Sequence, residues 1–213
     1  MVHYKLSYFP IRYAGELPRQ ILAYAGQEFE DNRVTQASWP ALKPTTPFGQ
    51  MPVLEVDGKI LGQSHAIARY LARRFGINGQ GAWEEAQVNA LADQFKDYFS
   101  EIRQYNVVKM GFAEGDAEQL YKDVFLPAFK KNYAVFTKFL KENGSGYLVG
   151  DSLTLVDLLL AQHTSDLLPD SGSVFAASKD LFDEFPELKE HQKRIHSIPN
   201  IKKWIKTRPV TPF

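Results

Sequence analysis

The stretch Phe48-Gly49-Gln50-Met51-Pro52-Val53-Leu54-Glu55-Val56-Asp57-Gly58-Lys59-Ile60-Leu61-Gly62-Gln63-Ser64 decides the fold. Val53 to Val56 and Lys59 to Leu61 are short strand-forming runs joined by Asp57-Gly58, and a two-residue Asp-Gly connection selects a hairpin turn with positive φ. Ser64 then stands as the expected N-cap of a helix with Ile67, Ala68, Tyr70 and Leu71 on its apolar side, ending near Phe75 and Gly76. Upstream, residues 3–8 alternate, with Tyr4, Leu6 and Tyr8 on one face and Lys5 and Ser7 on the other, the pattern of a strand. After Pro10 and Gly15, the residues Leu17, Ile21, Leu22 and Ala25 recur at helical spacing, and Gly26 stops that helix. A second strand is expected over residues 29–34. The first third of the chain therefore reads β-α-β, a connection, then β-β-α.

Beyond it the pattern changes. Gly76, Gly79 and Gly81 interrupt any periodicity, which places a boundary between a domain of residues 1–77 and one of 83–213, with 78–82 as linker. The second part reads as wholly helical. Val88, Leu91, Ala92, Phe95, Phe99 and Ile102 predict one long amphipathic helix running to about Met110. A second helix is expected from Ala117 to Leu140, kinked at Pro127. Leu155 to Leu168 is apolar nearly all round, so it should be a buried central helix. Thr154 and Asp157 in front of it form a capping signature, with Leu153 and Leu158 as its hydrophobic staple. Two terminal helices are expected at 186–196 and 201–206.

Composition narrows the function. Lys plus Arg number 25 and Asp plus Glu 25, so the formal charge is zero and no basic footprint points to nucleic acid or an anionic membrane. No apolar run approaches the roughly 18 residues of a membrane span, and the first residues lack the apolar core of a signal peptide, so a cytoplasmic location is expected. Cysteine is absent, which removes disulfides, thiolate metal sites and cysteine nucleophiles. Any thiol chemistry must use sulfur from a ligand. The five histidines show no metal-ligand spacing, and no metal is expected.

Four segments, in order, resemble the cytosolic glutathione transferases over essentially the whole chain. Tyr8-Phe9 with Arg12, Glu16 and Arg19 resembles the family's tyrosine-bearing first segment, and Phe48 to Leu54 its glutathione-backbone loop. Gln63-Ser64-His65-Ala66-Ile67 resembles its Gln-Ser-x-Ala-Ile helix start, and Gly150 to Asp157 its buried capping motif. The resemblance is greatest to sigma-type enzymes, including the group common in nematodes. It implies a thioredoxin-like α/β domain, β-α-β-α-β-β-α, followed by an all-α domain carrying much of the electrophile site. Tyr13 departs from the pattern where relatives often carry glycine, and Ala14 where some sigma members carry an arginine.

The resemblance also assigns roles. Tyr8 would hold the thiol of glutathione as thiolate; without the family, a tyrosine on an apolar strand face reads as core packing. Gln63 and Ser64 would meet the γ-glutamyl carboxylate at free helix-terminal amides, although their spacing alone reads as a cap. Lys43 and Trp39 suit the glycyl carboxylate by charge and by an indole N–H. Met51-Pro52 resembles the family's cis peptide, which offers the Met51 backbone to the cysteinyl part of glutathione, with Gln50 in support. Asp93 and Asp97 share a helix face, an unfavourable like-charge pair that needs compensation. Asp97 would reach the glutathione ammonium in the neighbouring subunit of a homodimer. Phe48 is a candidate to insert into that subunit, and Phe9, Phe99 and Tyr105 are candidates for the electrophile site or, equally, core aromatics.

The expected activity is transfer of glutathione, a co-substrate rather than a tightly bound cofactor, to small hydrophobic electrophiles in detoxification. The alternatives are a carrier of haem or other large apolar ligands, and a sigma-type prostaglandin isomerase.

Overall fold

The computed structural model describes residues 2–213. Its N-terminal part runs β1 (Tyr4–Tyr8), α1 (Tyr13–Tyr24), β2 (Glu30–Arg33), α2 (Trp39–Leu42), β3 (Val53–Val56), β4 (Lys59–Gly62) and α3 (Ser64–Arg74). The sheet order is β2-β1-β3-β4, with β1 parallel to β2 and antiparallel to β3. This is the thioredoxin-like arrangement that the hairpin and the β-α-β segment imply.

Leu6 on β1 faces Leu54 on β3, and both are fully buried beneath α1 and α3, which pack against each other. Burying a leucine of this kind is worth about 1.5–3 kcal/mol relative to leaving it in water. The hairpin register pairs Val56 with Lys59, and the two turn residues Asp57 and Gly58 have φ of 48° and 80°. Both values are positive, as an Asp-Gly turn of this type requires.

Ser64 is not the N-cap of α3. The cap position is Gln63, with φ of 73° and no side-chain cap hydrogen bond, and Ser64 is the first helical residue. An N-cap serine sits in extended backbone and folds its hydroxyl over the first turn. Here the left-handed turn at Gln63 brings the chain out of the hairpin and starts the helix one residue earlier, so the amides of its first turn keep no side-chain partner.

The remainder is helical: α4 (Gly81–Glu101), α5 (Arg103–Lys109), α6 (Ala117–Leu120), α7 (Leu126–Asn143), α8 (Leu155–Leu167), α9 (Pro186–Ser197) and α10 (Pro199–Thr207). The single helix expected to reach Met110 is broken at Ile102, where φ is −89° and ψ is 6°. The Ile102 amide still bonds to the Tyr98 carbonyl, and its own carbonyl accepts from the Asn106 amide at 3.0 Å. The bend keeps these two bonds, but the chain leaves helical geometry at this one residue, and the apolar spacing reads straight through it.

The helix expected over 117–140 is likewise divided. Residues 121–125 form a wider π-type turn, and Pro127 lies in the first turn of α7 rather than in mid-helix. A proline clashes with the carbonyl four residues earlier, so the chain widens just ahead of it.

Helix α8 is buried, as its composition requires, and its start is fixed by Asp157. The Oδ2 atom of Asp157 accepts from the Thr154 amide at 2.8 Å and from its hydroxyl at 2.7 Å, while Oδ1 accepts from the Leu148 amide at 2.8 Å. Leu153 and Leu158, beside it, are both in the core. Helix α1 packs on α8 and α10, and α3 also meets α8, so the end of β1 opens toward the helical part.

Candidate active site

Strand β1 delivers Tyr8 to the start of α1, where it is 5% exposed. Its ring is tightly enclosed. Arg19 lies over it at 5.8 Å from the centroid, and a Cβ on Gly15 would fall 2.4 Å from Cδ1. Only a glycine leaves room for the ring at that contact.

Arg19 is itself fully buried, held by Asp31 at 2.8 Å and donating to the Ile11 carbonyl at 2.7 Å. It thereby ties the 9–11 loop to the tyrosine. Burial pushes the Tyr8 hydroxyl well above the usual phenol range, against the opposing effect of the Ala14 backbone amide and of the Arg19 charge. The phenol therefore keeps its proton at neutral pH, with an O–H available to donate.

Tyr8 borders a cleft of about 1190 Å³ whose wall also includes Phe9, Gln63, Ser64 and Phe99. The first turn of α3 meets this cleft, and the positive end of a helix with uncapped amides favours an anion. Arg69 and Lys96 add positive charge to the same wall. Arg69 is in turn paired with Asp93, which supplies the compensation that Asp93 and Asp97 need.

Trp39, Lys43, Gln50, Met51, Pro52 and Asp97 are not in the wall of this cleft. Trp39 is half-buried and meets Phe9 edge-on at 5.8 Å, and Phe9 meets Tyr8 in the same way at 5.8 Å. An aromatic relay thus connects Tyr8 to the indole. Lys43 is exposed, with its stem against Gly49. The Met51-Pro52 bond is cis, Pro52 is buried at the entrance to β3, and Gln50 is exposed. Asp97 is exposed on α4, one residue beyond Lys96.

Tyr105 does not belong to the cleft. It is 3% exposed and packed on Phe125, with ring centroids 4.8 Å apart, and on Tyr121. The break at Ile102 is the cause, since it turns α5 so that Asn106 and Arg103 line the cleft while Tyr105 points into the core.

Tyr13, Asn106 and His163 are among the wall residues that no motif announces. Tyr13 stood out only as a departure from the resemblance, and its φ of 28° is a left-handed conformation that glycine adopts more readily than tyrosine. His163 accepts or donates at 2.8 Å to the Tyr133 hydroxyl and is walled by the rings of Phe95, Tyr98 and Phe99, the last at 5.1 Å. That enclosure lowers its pKa to about 3 and keeps it neutral. A lone histidine on an apolar helix carries no signal of such a position.

With a buried phenol and an uncapped helix start on one cleft, and a cis-proline at the entrance to β3, comparison with known proteins becomes decisive. Residues 4–73 match the glutathione S-transferase N-terminal domain, and residues 101–208 match the glutathione S-transferase C-terminal domain. The chain belongs to the glutathione S-transferase family. This transferase is 70% identical over 213 residues to "Probable glutathione S-transferase 7" of Caenorhabditis elegans, covering 100% of both chains. Among solved structures it matches a nematode-specific C. elegans transferase with a TM-score of 0.93 and 62% identity, covering 100% of both chains. It also matches a monomeric glutathione S-transferase of the hookworm Necator americanus, with a TM-score of 0.93, 52% identity and coverage of 99% and 100%. The transferase is an enzyme by family, and glutathione is the family's co-substrate. No helix among the described residues is long and apolar enough to cross a membrane.

Proposed function

We propose that this transferase conjugates glutathione to small hydrophobic electrophiles, with the Tyr8 hydroxyl donating a hydrogen bond to the attacking sulfur. The observation that carries the reading is a phenol kept protonated by burial at the wall of a largely apolar cleft. A free thiol has a pKa of about 8.5 and is only a few per cent ionised at neutral pH. A hydrogen bond to sulfur favours the anion, and each unit of depression corresponds to about 1.4 kcal/mol.

Gln63 and Ser64 at the start of α3 receive the γ-glutamyl carboxylate, where helix-terminal amides and Arg69 favour negative charge. Trp39 and Lys43 take the glycyl carboxylate, and the Met51 backbone ahead of cis-Pro52 pairs with the cysteinyl unit, next to Gln50. Asp97, exposed on α4, serves the ammonium of glutathione in a neighbouring subunit, which makes a sigma-like homodimer the working form. Phe9 and Phe99 supply the apolar wall for the electrophile. The cytosol is the compartment this reading assigns.

A second reading, carriage of a larger apolar ligand such as haem, draws on the 1190 Å³ of the cleft, which exceeds what a small electrophile fills. The two separate on Tyr8→Phe. The transferase reading expects turnover of a nitro-substituted aryl halide to fall on the order of 100-fold, with loss of the ultraviolet thiolate absorbance of bound glutathione. Full turnover by Y8F removes Tyr8 from the mechanism, and tight ligand binding by an inert wild type favours the carrier.

A further inference from the structure

Glu16 is a carboxylate almost without water: it is 1% exposed in the first turn of α1, next to the Gly15 that encloses the Tyr8 ring. Its Oε1 accepts from Arg208 at 2.6 Å and from the Trp204 indole at 2.7 Å, so α10 and the residue after it supply both donors. Its Oε2 accepts no hydrogen bond among the described residues and lies 3.6 Å from Nη1 of Arg19. That same nitrogen donates to the Ile11 carbonyl at 2.7 Å, while Nη2 reaches the Phe9 carbonyl at 3.4 Å and the guanidinium lies over the Tyr8 ring. One arginine nitrogen thus stands between a carboxylate and the loop that follows Tyr8.

Charge decides which acceptor it serves. A buried carboxylate without enough compensation attracts a nearby guanidinium strongly, because little water screens the pair. Arg208 brings the compensating charge from the helical part, on a side chain 12% exposed. With Glu16 satisfied from that side, Arg19 keeps its shorter contact, to Ile11. Without Arg208, Arg19 should turn toward Oε2 and release Ile11 and Phe9, which are both in the cleft wall. Its charge would move relative to the Tyr8 phenol at the same time. A cation beside a phenol makes the O–H a stronger donor, so donor position and donor strength change together. Arg208, Glu16 and Arg19 are all outside the cleft wall, so the effect on the reaction is indirect.

We propose that Arg208 is a positioning residue of the reaction: by holding the charge of Glu16 it keeps Arg19 on the Phe9 and Ile11 carbonyls and over Tyr8, and so sets how far the thiol of bound glutathione is ionised. The inference rests on the transferase reading, in which Tyr8 is the donor to sulfur. It assigns part of the thiol's ionisation to a residue that touches neither glutathione nor electrophile.

The test follows the ultraviolet absorbance of the thiolate against pH, on folded protein saturated with glutathione, a readout that lost stability alone does not move. In Arg208→Met the midpoint should rise by about one pH unit, which is about a tenfold smaller thiolate fraction below it. Arg208→Lys should stay within about 0.3 pH unit of the wild type. One nitrogen, Nη1, makes both Arg208 contacts, to Glu16 and at 3.0 Å to Gln162, so an ammonium can stand in its place. Glu16→Gln added to Arg208→Met removes the carboxylate charge that Arg19 would follow, and should return the midpoint most of the way. Should Arg208→Met not fold, Trp204→Phe decides instead: it removes only the second Oε1 donor, and the midpoint should rise by roughly 0.3 pH unit, an unchanged one overturning the proposal. An unshifted midpoint in folded Arg208→Met, or a shift that the double variant retains in full, overturns the role of Arg208 and leaves the transferase reading intact. A wild type whose bound glutathione ionises no earlier than the free thiol overturns the transferase reading and this inference with it.

Discussion

Gly15 meets the ring of Tyr8 so closely that a Cβ there would lie 2.4 Å from Cδ1 and 2.7 Å from Cγ. The ring has nowhere to retreat, because Arg19 lies over it and Phe9 packs edge-on. The glycine therefore fixes where the tyrosine ring can sit.

Gly15→Ala should displace the phenol. Overpacking of this kind costs about 1–3 kcal/mol, and a shift of the donor from the sulfur should lower kcat at least about tenfold. Thermal unfolding and steady-state kinetics check the two effects together. An alanine variant of wild-type activity would show that the tyrosine position is less constrained than this contact implies.

The pH dependence of turnover discriminates donor from base. Because burial raises the Tyr8 pKa above the ordinary phenol range, the hydroxyl stays protonated through the alkaline range and contributes no descending limb. The only ionisation expected in kcat/KM is that of the bound thiol. The profile should rise with pH to a plateau, with its midpoint below the free-thiol value of about 8.5. A fall in rate near pH 10, the ordinary phenol value of roughly 10, would mean that Tyr8 titrates and that its burial does not hold in solution.

His163 makes acid stability a second pH experiment. Its folded pKa, lowered to about 3, lies below the unfolded value of about 6.5, so the unfolded chain takes up the proton first. Stability from this group is present above about pH 6.5 and is lost as pH falls toward 3, by about 1.4 kcal/mol per unit. His196, lowered to about 4, acts in the same direction. Urea midpoints should drop steadily between those limits. His163→Gln keeps an acceptor for the Tyr133 hydroxyl but cannot be protonated in this range, so its curve should be flatter. Parallel curves for the two proteins would sink the assignment.

What the sequence made legible was local. Asp57-Gly58 announces a turn because two positive φ values are needed within two residues, and Thr154 to Asp157 announces a helix start because its partners are three residues apart. Tyr8, Gln63 and Ser64 were reachable because a family motif carries them. The exact start of α3 was not, since it depends on the backbone of Gln63 rather than on any residue type that favours a cap. Nor was the fate of Tyr105, which follows a bend at Ile102 that the apolar periodicity does not report. Asn106 and His163 enter the cleft only when distant helices assemble, and no spacing within α5 or α8 reports that meeting.

The last prediction concerns Asp157, a fully buried carboxylate between α8 and α9. Besides Leu148 and Thr154, it faces Nε2 of His191 at 2.8 Å, so one side chain joins a helix start, the loop before it and the following helix. Asp157→Ala would strand these groups where water does not reach. A buried donor without a partner costs about 1–3 kcal/mol, and loss of one member of a buried network about 3–5 kcal/mol in all. For a chain of this length that corresponds to a thermal midpoint lower by roughly 10 °C. Because Asp157 does not line the cleft, activity per folded molecule at low temperature should stay within about twofold of the wild type. Thr154→Ala added to Asp157→Ala should cost less than Thr154→Ala alone, since the two share one hydrogen-bond system. Thermal midpoints of the two single variants and the double variant decide it. Strictly additive losses would mean that Thr154 stabilises the helix independently of the carboxylate.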